Sequence, residues 1–230
     1  MKPSSLVLAL LIVAHPAQTN AATTDPEARN ALRDYSICVA KHDPKESEAV
    51  LLSLIPNEEI VRRHPAVVTP SCLTNGAELK MPGDYLRYGL AEAMVRREYA
   101  IGLPADILQA EPLEHYEISE SDYQPEAGKK LSSQKAAELM RRRQDALAFQ
   151  FLSIFGECVA RKNPAGALQL ILSKMGSSAE TEAFAAISGP LSSCLMAGQK
   201  LALDRTALRG TIALNLFRLA KAPRLTTASK

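Results

Sequence analysis

Aromatic residues and cysteine are scarce in this chain. Tryptophan is absent, aromatic residues make up 5% of the 230 residues, and there are four cysteines. A hydrophobic core must therefore rest on alanine, leucine, isoleucine and valine. The formal net charge is +2, so the protein lacks an overall electrostatic field that would attract nucleic acid or anionic lipid. A role in binding nucleic acid has little support.

Sequence motifs for well-understood chemistries are also missing. Gly-x-Gly, Gly-x-Ser-x-Gly, His-Glu-x-x-His and the glycine-rich phosphate-binding loop do not occur. These motifs mark dinucleotide sites, hydrolase nucleophiles, zinc proteases and nucleotide-phosphate sites. We therefore assign no catalytic residue, no metal site and no cofactor. An enzyme of unrecognised type stays open as an alternative.

The first residues have the layout of a secretory signal peptide. Lys2 supplies a positive charge, residues 6–14 form an unbroken apolar run, Pro16 breaks it, and residues 19–21 end on a small residue. A membrane span needs about 20 apolar residues, and this run is shorter. We expect residues 1–21 to be removed and the protein to be exported to the periplasm or secreted, with no membrane span after processing.

The chain contains the same block twice. Cys-Val-Ala-Lys-His-Asp-Pro at 38–44 returns as Cys-Val-Ala-Arg-Lys-Asn-Pro at 158–164. Further matching positions follow in the same order, namely Ser71, Cys72, Leu73, Gly76, Leu79, Leu86, Arg87, Ala91 and Arg96 in the first block with Ser193, Cys194, Leu195, Gly198, Leu201, Leu208, Arg209, Ala213 and Arg218 in the second. An internal repeat decides the architecture before any other pattern does.

Apolar residues recur at helical spacing, and no stretch alternates with the period of a β-strand. Asp or Asn followed by proline starts helices at Asp25, Asp43 and Asn163. We predict an all-α fold of two tandem copies, each a small disulfide-pinned unit of four or five helices. The predicted division is a signal peptide at 1–21, a first block at 25–101, an acidic linker at 102–131, a second block at 132–221 and a disordered tail at 222–230.

The turn and helix signals give approximate helix bounds. The linker is expected either to hold a short helix near 105–110 or to wrap over the two copies. The predicted helices span 26–42, 44–55, 57–63, 70–75 and 84–101 in the first block, and 133–162, 164–172, 178–188, 191–197 and 204–220 in the second.

Four cysteines in an exported chain indicate two disulfides, with three ways to pair them. A duplication selects one pairing, because each copy had to be stable before it was doubled. We predict the disulfides Cys38–Cys72 and Cys158–Cys194. In the chain-entropy model, each disulfide would stabilise the fold by about 4 kcal/mol, because it closes a loop in the unfolded chain. A zinc or redox site is disfavoured, because no Cys-x-x-Cys pair occurs.

Between residues 106 and 126 the charged side chains are acidic, and a basic helix follows. This acidic stretch could dock onto the helix, bind a partner's charge or be a solvated linker. His115 lies within it beside Glu111, Glu114 and Glu117. It could hold a cation or act as a base, or be a solvated histidine.

Candidate binding residues come from the positions that the two blocks share and from the tyrosines. Arg87 and Arg96 lie nine residues apart on one predicted helix, so they point to opposite sides. The repeated arginines either bind an anion or pair with an acid inside their own copy. Tyr85 and Tyr88 either form a partner surface or belong to the core. The candidate binding residues are Arg87, Arg96, Arg209, Arg218, Tyr85, Tyr88 and His115.

The pattern Cys-Val-Ala-[Lys/Arg]-x-[Asp/Asn]-Pro, then Cys-Leu, then Leu-Arg, resembles that of exported alpha-proteobacterial proteins of unassigned function. The resemblance covers both blocks and implies a bacterial envelope setting but no activity. We expect a non-enzymatic interaction or scaffold protein with an envelope protein as its partner. One alternative is a periplasmic binder of an apolar small molecule between the two copies. The other is the enzyme of unrecognised type.

Overall fold

A computed structural model describes residues 26–73, 83–125, 130–195 and 204–223. The predicted signal peptide, the cap at Asp25, the ends of the predicted helices at 70–75 and 191–197, and residues 224–230 of the predicted tail lie outside these ranges. The described residues contain helices and no β-strand, which confirms the all-α prediction. The helices are α1 (Pro26–His42), α2 (Pro44–Leu52), α3 (Ile60–Arg63), α4 (Gly83–Tyr99), α5 (Ser133–Lys162), α6 (Pro164–Leu172), α7 (Ser178–Ala186), α8 (Ser188–Ser193) and α9 (Arg205–Lys221).

The Asp-Pro and Asn-Pro starts at 43 and 163 form the same N-terminal cap in both blocks. The side chain of Asp43 accepts a hydrogen bond from the Glu46 amide at 3.1 Å, and that of Asn163 accepts one from the Gly166 amide at 2.8 Å. A side-chain oxygen at this position satisfies one of the amides that a helix start leaves without a partner. These two starts are confirmed.

The clearest differences from the predicted helix bounds are at α2 and α8. α2 ends at Leu52 instead of residue 55, because the backbone turns extended at Ser53. α7 ends at Ala186 and α8 begins at Ser188, ahead of the predicted start at 191. Pro190 has no amide hydrogen to continue α7 and fits the first turn of a new helix, so the chain restarts there.

The core is built around α4 and α9, which pack against each other. Residues 86–95 of α4 are all buried, as is most of α9. A helix with apolar residues all around it, as α9 has, must be covered on all sides. α1 and α2 cover α4, while α5 and α6 cover α9. One apolar cluster therefore includes side chains of both blocks.

The central contact depends on a glycine. A Cβ atom added at Gly210 of α9 would overlap the Cβ and ring of Tyr88 of α4. Tyr88 is buried, at 2% exposure. The missing side chain at Gly210 lets the two helix backbones approach closely where they cross.

Both predicted disulfides are formed. Cys38–Cys72 joins α1 to the 3-10 turn at Pro70–Cys72, with the two Cα atoms 5.6 Å apart. Cys158–Cys194 joins α5 to the end of α8, with the Cα atoms 5.9 Å apart. Each cross-link fixes the first helix of its block to the segment that precedes the last helix.

The connection between the blocks packs against the helices. It contains a 3-10 turn at Ile107–Gln109, near the helix predicted at 105–110, and a second one at Glu120–Tyr123. Ile107, Ala110 and Tyr123 are buried. Among the helices of the described residues, none is both long enough and apolar enough to cross a membrane.

Candidate functional site

Arg209 lies fully buried in contact with α4, α7 and the end of α6. Its Nε donates to Glu92 Oε2 at 2.7 Å, and its Nη1 donates to Glu180 Oε1 at 3.1 Å. Its Nη2 donates to the carbonyl oxygens of Ile171 at 2.6 Å and Ser173 at 2.9 Å. Buried charge is tolerated when it is paired and hydrogen-bonded in this way. Arg209 thus pairs with one acid from each block.

Glu180, one of the two acids of this cluster, has further partners. Glu180 accepts a hydrogen bond from Arg29 at 2.8 Å and another from the Gly176 amide at 2.8 Å. Burial by itself raises the pKa of Glu180, but the Gly176 amide and the charges of Arg29 and Arg209 outweigh it and lower the pKa. The carboxylate is therefore held in its charged form by groups of both blocks.

Arg96 binds the same helix end as Arg209. Its Nη1 donates to the Leu172 carbonyl at 3.0 Å, and its Nη2 donates to the Ser173 carbonyl at 2.7 Å. The last carbonyls of a helix lack partners within the helix and carry partial negative charge. Arg96 and Arg209 thus cap the C-terminal end of α6. The Nε of Arg96 is buried and has no hydrogen-bond partner among the described residues.

Arg87 is buried with fewer partners. Its Nη2 donates to the Ile55 carbonyl at 2.8 Å, and its guanidinium carbon lies 4.7 Å from the centre of the Phe149 ring. Within the described part of the chain, its Nε and Nη1 have no hydrogen-bond partner. Burial lowers the pKa of Arg87 to about 10. Arg209, at the corresponding position, uses the equivalent nitrogens to bind carboxylates.

His115 and Arg218 belong to another cluster, which attaches the connection to α5 and α9. His115 Nδ1 lies 2.8 Å from Ser153 Oγ, and its Nε2 lies 2.7 Å from Glu157 Oε2. Arg218 Nη1 donates to Ser153 Oγ at 3.2 Å, while its Nη2 donates to the Glu114 carbonyl. His115 is half-buried, and both of its ring nitrogens are within hydrogen-bond distance of a side chain.

Glu157 is the centre of this attachment. Its Oε1 accepts from Arg161 Nε at 2.6 Å and from the Leu113 amide at 3.1 Å. Burial by itself raises the pKa of Glu157, but hydrogen bonds from His115, Arg161 and the Leu113 amide outweigh it and lower the pKa to about 2. The carboxylate therefore stays charged throughout the physiological pH range.

Backbone groups supply further contacts to the connection. Arg161 donates to the carbonyl oxygens of Ala110 at 3.0 Å and Glu111 at 2.6 Å. The amide of Glu111 donates to the carbonyl oxygen of Pro223 at 3.0 Å, just beyond the end of α9. Residues 110–115, called here the docked segment, are therefore held largely through their backbone.

The acidic stretch was expected to dock onto the basic helix, bind a partner's charge or stay solvated. Glu120 supports the first alternative, because its carboxylate pairs with Arg143 of α5 through two hydrogen bonds of 2.8 and 2.6 Å. Glu111, Glu114 and Glu117 are exposed. The connection thus docks through its backbone and Glu120, while other carboxylates face solvent.

Ser153, His115 and Glu157 have the residue types of a hydrolase triad but not its accessibility. Ser153 is 2% exposed, and its hydroxyl already accepts a hydrogen bond from Arg218. The adjacent surface cleft, of about 660 Å³, is lined by His115 and Tyr116 but not by Ser153. A nucleophile must reach the atom that it attacks. The geometry fits a structural contact that attaches the connection to α5 and α9 better than it fits a catalytic site.

The two candidate tyrosines occupy the contact between α4 and α9. Tyr85 donates to Asp204 Oδ2 at 2.5 Å, and Asp204 is the N-terminal cap of α9. The Tyr88 hydroxyl lies 3.5 Å from Thr211 Oγ1, and burial raises the pKa of Tyr88. Tyr88 is a core residue, and Tyr85 joins one central helix to the start of the other.

One group of side chains has the layout of a metal site. Ligand atoms of Cys38, His42 and Cys72 lie within 4.8 Å of one another. The two sulfur atoms are bonded to each other in the disulfide, so they offer no thiolate to a metal. His42 follows Cys38 by about one helical turn, a spacing that was visible in the sequence.

Two of the surface cavities border the cluster around Arg209 and Arg96. The first, of about 360 Å³, lies between α1 and α4 and has Lys41, Arg96 and Arg97 among its lining residues. The second, of about 460 Å³, lies between the end of α4 and helices α6 and α7. Its lining includes Ile101 and Leu168, so it is partly apolar and touches both blocks.

Three acids that complete the buried clusters were not predicted, namely Glu92, Glu157 and Glu180. A usable signal was present for two of them. Glu92 is the one charged residue from Tyr88 to Val95, and Glu157 is the one charged residue in the stretch 146–160. A lone acid in an otherwise apolar helix indicates a buried partner of opposite charge.

Comparisons with protein-family models, with curated proteins and with solved structures found no match to this chain.

Proposed function

We propose that this chain is an exported, non-enzymatic interaction protein of the bacterial envelope, built by tandem duplication of a disulfide-pinned helical unit. The observation that carries the proposal is the docked segment, residues 110–115. Arg161 and Arg218 hold its carbonyl groups, and Glu157 accepts a hydrogen bond from its Leu113 amide. A helical surface that binds the backbone of a non-helical segment in this way is suited to binding a partner's peptide segment.

The duplication is supported by matching contacts in the two blocks. α1 packs on α4 as α5 packs on α9, and α2 packs on α4 as α6 packs on α9. Tyr88 and Gly210 hold the same position in the two blocks, and they face each other across the α4–α9 contact. Two copies related by an approximate twofold axis between α4 and α9 would bring equivalent positions together in this manner.

An apolar stripe on α5 also supports binding of a partner. Met140, Leu147 and Ile154 are exposed by 53%, 37% and 51%, respectively. Their spacing of seven residues places them on one side of the helix. A row of exposed apolar side chains on a long helix offers a contact surface to another protein.

Site-specific photocrosslinking in cells that export the protein tests the proposal. A photoreactive residue replaces Ile37 beside the α1–α4 cavity or Leu147 on the stripe, and replaces Lys45, which is exposed on α2, as the control. We expect a reproducible crosslinked protein from at least one of the first two positions and none from Lys45. Absence of any crosslinked protein from Ile37 and Leu147 would contradict the proposal.

A second candidate function is binding of an apolar small molecule. The cavity between α4, α6 and α7 favours it, because that cavity touches both blocks and is lined by Ile101, Leu168 and Leu172 among others. Native mass spectrometry of the exported protein distinguishes the two functions. A bound small molecule would appear as added mass that disappears on denaturation. A protein that acts only by binding another protein needs no such added mass.

A further inference from the structure

The cavity between α1 and α4 occupies the position in the first block that the docked segment occupies in the second. Cys38 corresponds to Cys158, and Arg96 corresponds to Arg218. α1 and α4 are therefore the counterparts of α5 and α9, the two helices that hold the docked segment. The cavity of about 360 Å³ is lined by Ile37, Ala40, Lys41, Ala93, Arg96 and Arg97.

We call this cavity the α1–α4 groove. It has a cationic side chain at the position that corresponds to a cation of the second block that binds the docked segment. Lys41 corresponds to Arg161, which donates to two backbone carbonyls of the docked segment. Lys41 is exposed at the groove. Arg97 adds a second cation, and one of its nitrogens is held in place by the Ala40 carbonyl at 2.5 Å. Basic groups that can bind an extended segment are therefore present here too.

The α1–α4 groove differs from the site of the docked segment at two positions, and these differences determine which ligand side chains it can bind. Ile37 stands where the second block has Glu157, and Arg33 stands where it has Ser153. The groove thus lacks the carboxylate that binds the histidine and an amide of the docked segment. Ile37 instead presents an apolar side chain that is 43% exposed. A ligand for this groove needs an apolar side chain to cover Ile37.

Positive charge is concentrated around the groove. Arg96 and Arg97 line it from α4, and Lys41 lines it from α1. Burial lowers the pKa of Arg96, and the nearby charges of Arg209 and Arg33 lower it further against the opposing charge of Glu92. Cations crowded in this way favour a ligand that brings negative charge.

We propose that the α1–α4 groove binds an extended segment of a partner protein in which an apolar side chain lies between carboxylates. The apolar side chain covers Ile37, and the carboxylates meet Lys41 and Arg97. This assignment rests on the proposed function, since it names the kind of partner segment that an interaction protein of this fold receives. The docked segment has the required order of side chains, with Leu113 between Glu111 and Glu114; its own carboxylates face solvent, so only its sequence serves as the starting point for a probe.

A peptide-binding measurement on the full processed chain tests the groove. The probe is a fluorescein-labelled peptide with the sequence of residues 110–117 that carries the change His115→Asp. Fluorescence anisotropy should show saturable binding that weakens as the salt concentration rises, because the contacts are between charges. Lys41→Glu in the protein reverses a charge in the groove and should weaken binding by about tenfold or more.

The matched control is Lys45→Glu, the same charge reversal at an exposed position that does not line the groove. It should bind the peptide as the wild type does. Circular dichroism and intact mass confirm that each variant is folded with both disulfides. The assignment is overturned if the wild type shows no saturable binding, or if Lys41→Glu binds as well as Lys45→Glu. It is also overturned if calorimetric titration shows that sodium laurate binds in a Lys41-dependent manner and the peptide does not.

The crosslinking experiment separates this assignment from the proposed function. A protein crosslinked from Leu147 but not from Ile37, together with no peptide binding, overturns the groove assignment and leaves the interaction function in place. Peptide binding that depends on Lys41, without any crosslinked protein in cells, supports the chemistry of the groove and contradicts the proposed function.

Discussion

Arg87 and Arg209 occupy corresponding positions in the two blocks, yet their guanidinium groups have different surroundings. Arg209 is bound by Glu92 and Glu180. Arg87 donates to one backbone carbonyl and lies over the ring of Phe149. Leu214 stands at the position that corresponds to Glu92, so the second block supplies no equivalent carboxylate. One arginine completes a charged network, while the other is buried without a hydrogen-bonded acid among the described residues.

This difference predicts unequal responses to the same substitution. Arg209→Met leaves Glu92 buried without the arginine that hydrogen-bonds it and removes one of the partners of Glu180, and it should lower the free energy of unfolding by about 3–5 kcal/mol. Arg87→Met removes a cation whose donors are only partly satisfied, and it should change the free energy by less than about 1 kcal/mol or increase it. Urea unfolding monitored by circular dichroism measures both values. Equal losses in the two variants would contradict this explanation.

The charge state of Glu157 predicts a pH dependence of stability. Its pKa falls from the ordinary value of 4.5 to about 2 in the folded chain. After allowance for screening by nearby solvent, a shift of that size contributes about 1–3 kcal/mol. Because the folded state favours the charged form, this contribution is present in full above about pH 5. It is lost as the pH falls from about 4.5 towards 2.

Glu157→Gln removes this contribution. The variant should be less stable than the wild type at pH 7, and the difference should shrink as the pH approaches 2. Urea unfolding at pH 7, 4 and 2.5 measures the trend. Glu120→Gln is the control, since the Glu120–Arg143 pair is exposed to solvent and should contribute little at any of these pH values. A difference between Glu157→Gln and wild type that is constant with pH would refute the explanation.

At the scale of helices, the arrangement depends on how closely α4 and α9 approach. Alanine favours a helix over glycine by about 1 kcal/mol, so glycine within α9 costs stability unless the space is needed. At Gly210 it is needed, because a Cβ there would overlap Tyr88. The glycine is therefore a packing requirement of the α4–α9 contact.

Gly210→Ala should lower the free energy of unfolding by about 1–3 kcal/mol, because the added carbon forces α4 and α9 apart. Gly189 in α8 is the control, since a Cβ there would have no neighbour within 4 Å. Gly189→Ala should leave stability unchanged or raise it by up to about 1 kcal/mol. Chemical unfolding of both variants decides the matter, and a stabilised Gly210→Ala protein would show that α4 and α9 are not in close contact there.

Local sequence signals were sufficient to predict most helices but not the polar clusters. Asp43 and Asn163 cap helices through contacts only three residues away, so the sequence contains all the information that these starts require. Glu92 and Arg209 meet across 117 residues. Their contact depends on how α4 and α9 are placed, and helical periodicity does not fix that placement. The same applies to His115, whose side-chain partners lie on α5.

At the scale of the whole molecule, the two blocks share one core instead of forming two. α9 is buried on nearly all sides, and α4 of the other block supplies part of its cover. The buried charges follow the same pattern, because Arg209 takes one acid from each block. A block unfolding alone would expose apolar helix surface and leave buried charges unpaired on the other. Contacts with the other block therefore supply part of the free energy that stabilises each block.

A shared core predicts that the protein unfolds in a single cooperative transition, which differential scanning calorimetry can detect. Replacing Cys158 and Cys194 with alanine opens a loop with a sequence separation of 36 residues, and it should lower the stability by about 2–4 kcal/mol. The whole transition should move to lower temperature, although the first block keeps its Cys38–Cys72 bond. The matched variant lacking Cys38 and Cys72 should move the same single transition. Two resolved transitions, of which only one responds to each pair of substitutions, would mean that the blocks fold independently and that the α4–α9 contact contributes little to stability.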